Sequence, residues 1–331
     1  MKIALITPAG ARSRSGNRHT AMRWAAMLRS LGHSVRIGIV WDGRPADAMI
    51  ALHARRSHAS IAEFRRRHPE RPLVVVLTGT DLYRDIRSDR SARASLALAD
   101  RLVVLQDMGR LELAPRLRKK TRVIYQSAEP PARSRPRSPV FRIAVLGHLR
   151  DEKDPFRAAL ALAHLKDLPE LEVLHLGEAL SPEMNREARR LMQVDARYRW
   201  VGGVPHRTAL KRLGESRLLV LSSRMEGGAN VVCEAAAGGV PVLASLVSGN
   251  IGMLGRGYPG YYRFGDDRAL ARLIRRAVRE PGYYARLKRH TAARRPLFLP
   301  SAERAGLRAL LADLPRLQRS SSARTGAKLR R

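Results

Sequence analysis

The stretch LLVLSSRMEGGANVVCEAAAGGVPVLAS, residues 218–245, limits the possible folds more than any other part of the chain. Residues 218–221 and 240–244 are continuously apolar, the mark of strands buried on both faces. Between them, residues 230–237 are small and helix-forming, and Gly238-Gly239 closes the helix. The same alternation runs along the whole chain. Apolar strands are expected over 2–7, 33–40, 48–52, 73–77, 101–105, 121–125, 141–146, 171–176 and 199–201. Helices are expected from 17, over 60–67 and 91–99, from 181, and over 267–278 and 301–314. In the first helix Met22, Ala25, Ala26 and Leu28 are spaced as a buried stripe, and Gly32 ends it. Alternating strands and helices imply an α/β fold with parallel, doubly wound sheets, whose ligands gather at the carboxyl ends of the strands.

With 331 residues the chain is long enough for two domains with separate cores. The segment AEPPARSRPRSP, residues 128–139, is rich in proline and poor in structure, and reads as a linker. The expected organisation is a first domain over 1–127, a linker over 128–139 and a second domain over 140–300. A C-terminal helix over 301–314 and a polar, basic, disordered tail over 315–331 complete it. No apolar run approaches the roughly 18–20 residues of a membrane span. MKIALITPAG breaks too early for a signal peptide, and the single Cys233 excludes an internal disulfide, so a cytoplasmic location is expected. The net charge of +34 would draw nucleic acid or anionic lipid non-specifically. Aromatics make up only 5% and are not interleaved with the basic runs, so no specific nucleic-acid partner is expected.

Glu226 lies in the loop after the strand at 218–221, and Glu234 stands about one turn inside the following helix. Each can be a solvated carboxylate. Glu234, however, sits in an otherwise apolar run, where an unpaired carboxylate is costly to bury and calls for a ligand or a cation. The two carboxylates can hold two parts of one polyhydroxyl ligand. The helix start at Asn230 and Val231, after Gly228, suits close approach of a phosphate to backbone amides. Gly147, His148, Arg150 and Lys153 form a basic loop leading into a helix, with Asp154 as N-cap and Pro155 as first residue. This loop is either solvated surface or an anion site. Gly16 and Asn17 open the first helix and either approach a phosphate or simply connect. Asp81, in Thr78-Gly79-Thr80-Asp81, either binds hydroxyl groups or caps the next turn. Residues 248–257, which include Asn250, are rich in glycine. Cys233 reads as a packed core thiol. The histidines are scattered, so no metal and no cofactor is expected.

The pair Glu226 and Glu234, followed by small residues and the strand GVPV, resembles the Glu-x7-Glu signature of retaining glycosyltransferases of the GT-B type. The resemblance implies two Rossmann-like domains facing each other across a cleft, with a nucleotide-sugar donor held mainly by the second. It places Glu226 near the sugar hydroxyls, Glu234 on the ribose, and Lys153 on the departing pyrophosphate; Arg150 compensates for His148, where the family has arginine. It also makes Gly16, Asn17, Gly147, Gly228, Asn230 and Val231 donor-binding residues. Arg18, His19, Thr78, Gly79, Thr80, Asp81 and Asn250 fall on the acceptor side, though the histidine that relatives carry near Thr78 is missing. The Asp-x-Asp metal grip of the other major glycosyltransferase fold is absent too.

Over nearly the whole chain, SGNRHTAMRWA, VVVLTGTDLYRDI, LVVLQ, SRMEGGANVVCEA, SGNIGMLG and YPGYY resemble the selenosugar synthases of selenoneine biosynthesis. That resemblance implies a UDP-sugar donor (UDP-N-acetylglucosamine or UDP-glucose), selenophosphate as the selenium donor, and a 1-selenosugar product passed to a later enzyme of the pathway. Selenophosphate is ionised at neutral pH and needs no strong general base. Arg12, Arg14 and Arg18 could hold it, or could be plain surface charge. An acceptor of another kind, lipid or polysaccharide, is the alternative.

Overall fold

The computed structural model describes residues 1–10, 13, 16–130 and 140–314. Most of the linker at 128–139, the tail at 315–331, and Arg12 and Arg14 lie outside the described residues. Among the described residues, twelve strands are arranged in two six-stranded sheets, parallel throughout. The first contains β1 (Lys2–Ile6), β2 (Ser34–Gly38), β3 (Ala48–Leu52), β4 (Leu73–Leu77), β5 (Arg101–Val104) and β6 (Thr121–Val123), in the order β2-β1-β3-β4-β5-β6. The second contains β7 (Phe141–Leu146), β8 (Leu171–Leu176), β9 (Tyr198–Trp200), β10 (Leu218–Leu221), β11 (Val242–Ser245) and β12 (Tyr261–Tyr262), in the order β12-β11-β10-β7-β8-β9. The strand order reverses between β1 and β3 in one sheet and between β7 and β10 in the other. Crevices open at the carboxyl ends of strands at such points.

Burial explains the strands. Every residue of β3, β4, β8, β10 and β11 is buried, as expected for strands covered by helices on both faces. The helix Gly16–Ser30 buries Thr20, Ala21, Trp24, Ala25 and Leu28. Met22 is 46% exposed and Ala26 faces outward, so the buried stripe runs one position away from the one expected. Trp24 is the anchor the pattern underweighted.

Two further expectations are corrected. Residues 248–255, where the resemblance implies a glycine-rich turn against the donor, instead form a helix, Ser248–Leu254. Asp154 is not an N-cap: it has left-handed φ, 44°, after the tight turn Asp151–Lys153, and the helix begins only at Arg157. Its carboxylate instead pairs with the Arg157 guanidinium at 2.9 Å.

The last helix, Pro300–Ala312, does not stay with the second sheet. Leu307 and Leu310 join the cluster of Trp24, Leu28 and the β1 residues Ile3 and Leu5, so the chain returns to the first unit. Among the described residues no helix is long and apolar enough to cross a membrane.

Candidate active site

The carboxyl ends of β7 and β10 border a small cleft lined by Gly147, His148, Lys153, His175, Ser222 and Ser223. Local geometry turns Lys153 into it. The turn Asp151–Lys153 ends on the left-handed Asp154, which Arg157 ties down, and Arg157 also reaches Asp267 at 3.2 Å. Lys153 Nζ donates to Glu226 Oε1 at 2.5 Å, and Ser223 Oγ donates to the same oxygen. Glu226 is buried, so the lysine and the serine offset the cost of keeping its charge from water. An ammonium has three donors, so two remain on Lys153 for an incoming anion.

The loop at 147–149 is stitched to the end of β8. Gly147 N–H donates to Leu176 O, Leu149 N–H to Glu178 O, and Glu178 N–H to His148 Nδ1. With Nδ1 accepting, neutral His148 carries its proton on Nε2. A methyl group at Gly177 would collide with Gly147 O and His148 N, so only glycine lets the two loops approach this closely. Beneath them, the fully buried His175 contacts the Tyr198 hydroxyl through Nδ1 at 3.0 Å and Gly147 O through Nε2 at 3.3 Å. Burial pushes the His175 pKa down to about 4, so the imidazole is neutral at pH 7. Arg150 is exposed at the start of the turn.

Glu234 lies in the helix Asn230–Gly238, buried among Val231, Val232, Cys233 and three alanines, with Gly239 left-handed at its end. Its partner is His206, whose Nε2 lies 2.8 Å from Oε1. That hydrogen bond raises the His206 pKa above its ordinary value. Sequence reasoning missed His206 because it sits 28 residues upstream, at the start of the helix His206–Gly214. Cys233 is fully buried with its thiol pushed up by burial, as a core residue should be.

The first unit closes over the second here. A methyl group at Gly227 would overlap the Thr78 carbonyl and Gly79 N, so the loop carrying Glu226 lies directly against Thr78-Gly79. Gln126 donates to Gly228 O at 2.6 Å, and Gly16 faces Asn230 across the seam. Asn17 is partly buried beside them, its carbonyl 3.4 Å from Thr7 Oγ1. Arg18 is half-buried on the same helix. Asn250 is fully buried and donates to Ser245 O and Oγ; among the described residues its Oδ1 has no partner.

Two residues expected on the acceptor side are engaged by the protein itself. Asp81 is fully buried and accepts from three backbone amides: Thr78 and Gly79 on Oδ1, Ala54 on Oδ2. Both of its oxygens are engaged in holding the loop together. His19 packs against the second unit, its ring 5.1 Å from that of His206, the partner of Glu234. Thr80 meets instead a histidine that sequence reasoning passed over: His53, buried and left-handed at the end of β3, lies 3.1 Å from Thr80 Oγ1. The carboxyl end of a strand at the reversal point was the available signal.

Residues 129–294 match the family model described as glycosyl transferases group 1. No curated protein sequence matches the chain. Among solved structures, HepE from Anabaena in complex with UDP and glucose is 15% identical with a TM-score of 0.74, covering 94% of this chain and 99% of that one. Sucrose-phosphate synthase from Thermosynechococcus elongatus is 18% identical with a TM-score of 0.74, covering 94% and 98%. A UDP-forming α,α-trehalose-phosphate synthase from Burkholderia vietnamiensis is 12% identical with a TM-score of 0.67, covering 91% and 78%.

Proposed function

Because the chain belongs to the group 1 glycosyl transferases, with the two facing α/β units of the GT-B fold, we propose that it transfers a hexosyl group from a UDP-sugar. The observation that carries this reading is the Lys153–Glu226–Ser223 cluster at the β7/β10 reversal point. It sets a cation and a carboxylate side by side where a sugar diphosphate would lie. Moving a glycosyl group requires stabilising the departing diphosphate, and a fixed cation with backbone amides does so without reorganisation. In this reading Lys153 takes the β-phosphate, with Gly147, His148 and Arg150 beside it. Glu226 and Asn250 Oδ1 accept from sugar hydroxyls. Gly16, Asn17, Gly228, Asn230 and Val231 line the phosphate side, and Glu234 accepts from the ribose. The solved complex of HepE with UDP and glucose supports the choice of nucleotide.

For the acceptor we propose selenophosphate, on the resemblance of the motifs around Ser15, Thr78, Glu226 and Asn250 to the selenosugar synthases. Selenium forms a bond to the anomeric carbon as the bond from that carbon to the β-phosphate oxygen breaks and UDP departs; water then cleaves the selenium–phosphorus bond, leaving the 1-selenosugar and phosphate. Thr78, Gly79, Thr80 and Arg18 border the side from which the acceptor arrives.

The deciding experiment measures UDP release from UDP-N-acetylglucosamine and UDP-glucose, each with and without selenophosphate. Release that depends on selenophosphate is expected. Donor binding without such release would redirect the reading to a lipid or polysaccharide acceptor. Duplex DNA binding that survives high salt, without UDP binding, would overturn the enzyme reading altogether.

A further inference from the structure

The helix Gly16–Ser30 of the first unit and the helices His206–Gly214 and Asn230–Gly238 of the second meet around one carboxylate. Glu234 offers two oxygens. Oε1 is taken by His206 Nε2 at 2.8 Å, while Oε2 has no protein donor among the described residues. His206 is in turn backed by His19, ring to ring at 5.1 Å with a 41° tilt. Besides Glu234, the charged and titratable groups acting on His206 and His19 are each other and Arg23. Burial and the neighbouring His206 hold His19 below its ordinary pKa, whereas the Glu234 bond lifts His206. The Glu234 hydrogen bond therefore favours the protonated form of His206, while burial favours the neutral form of His19 behind it.

A glutamate on a helix has three rotatable bonds and several orientations of similar energy. A single charge-assisted hydrogen bond from a fixed ring selects one of them. We propose that His206 is a positioning residue for nucleotide recognition: it holds Oε1 of Glu234 so that Oε2 faces the ribose diol, with His19 of the other unit packed behind it. This inference rests on the placement of the nucleotide described above. Discrimination between ribose and 2′-deoxyribose thus depends on a residue that does not touch the ligand.

The test is calorimetric binding of UDP and 2′-deoxy-UDP to the full chain. The variants are His206→Ala, His206→Gln, His19→Ala and Glu234→Gln, each checked for an unchanged melting temperature. The wild type should prefer UDP by about 10- to 100-fold, the span of a hydrogen bond to a charged group. His206→Ala should remove most of that preference while changing 2′-deoxy-UDP affinity by less than about threefold, because only the aimed bond is lost. His206→Gln, which keeps a donor at a similar reach, should restore much of the preference. His19→Ala should fall between wild type and His206→Ala.

If Glu234→Gln keeps the wild-type preference, the ribose is not at Glu234, and the placement of the nucleotide fails along with this inference. If Glu234→Gln abolishes the preference but His206→Ala keeps it, the placement stands and the role of His206 is overturned. Equal loss for both ligands in His206→Ala would likewise overturn it, because that is the result of a purely structural role.

Discussion

At the residue scale, the site consists of carboxylates that the protein neutralises before any ligand arrives. In the proposed function, Lys153 shifts part of its bonding from Glu226 to the departing phosphate. Lys153→Ala should therefore lower kcat by about 10²- to 10³-fold, the effect of removing one preorganised donor, with a smaller change in donor KM. Steady-state kinetics checks this; near-normal turnover would move the role to Arg150 or His148. Both glutamates were legible because their spacing, and the apolar setting of Glu234, are local properties of sequence. Their partners divide according to distance along the chain. Ser223 is three residues from Glu226 and lay within the same motif, whereas His206 reaches Glu234 only because two helices pack side by side. Asp81 shows the opposite limit. A sequence displays a carboxylate but not the three amides that already occupy it.

At the element scale, the strands were legible because burial on both faces leaves an unbroken apolar run. The turns were not, because their residues are chosen by contacts from elsewhere. The helix Ser248–Leu254 carries glycines at 249 and 252, which disfavour a helix in isolation, yet a methyl group at 249 would meet the Glu226 backbone and one at 252 would meet Gln106. Gly177 obeys the same logic beneath the loop at 147–149. Gly177→Ala should cost about 1–3 kcal/mol, as overpacking does, and should reduce donor affinity by displacing Gly147 and His148. Gly282→Ala, where a methyl group meets open space, should be neutral or slightly stabilising. Denaturant titration of both variants separates the two cases.

His175 makes the same region sensitive to pH. Its folded pKa of about 4 lies below the ordinary value of 6.5. Between those values the unfolded chain binds a proton that the folded chain does not, so stability falls as pH drops through the window. The full contribution is present above about pH 6.5, and up to about 3 kcal/mol of it is lost by pH 4. A His175→Asn variant should therefore lose less stability than wild type over that interval. Parallel pH profiles for the two proteins would show that His175 does not titrate in this way.

At the scale of the whole molecule, the two units are joined more than once. The chain crosses near Ser127 and comes back with the helix Pro300–Ala312, a return that no periodicity reveals because that helix is amphipathic wherever it docks. Glu303 marks the junction. Fully buried, it accepts from Arg23 Nε at 2.7 Å, Trp24 Nε1 at 2.7 Å, and the Ser127 amide and hydroxyl. Arg23 also donates to Gln126 at 2.7 Å, and Gln126 in turn holds Gly228 of the site loop. One carboxylate thus ties the first helix, the crossing segment and the returning helix together one residue away from the Gln126 contact. Glu303→Gln keeps the shape but turns two donor hydrogens toward groups that are themselves donors. Removing the charge from such a convergence should cost on the order of 3 kcal/mol. Because Glu303 is shielded from solvent, that loss should be nearly the same at 0.05 and 0.5 M salt, both rough bounds of the screened range. An exposed pair such as Glu187 with Arg190 should contribute far less, fading further as salt is added. Urea titrations of the two variants at both salt concentrations decide the matter. A Glu303→Gln cost below about 1 kcal/mol, or one that salt erases, would mean that the returning helix is held mainly by apolar contacts such as Leu307 and Leu310.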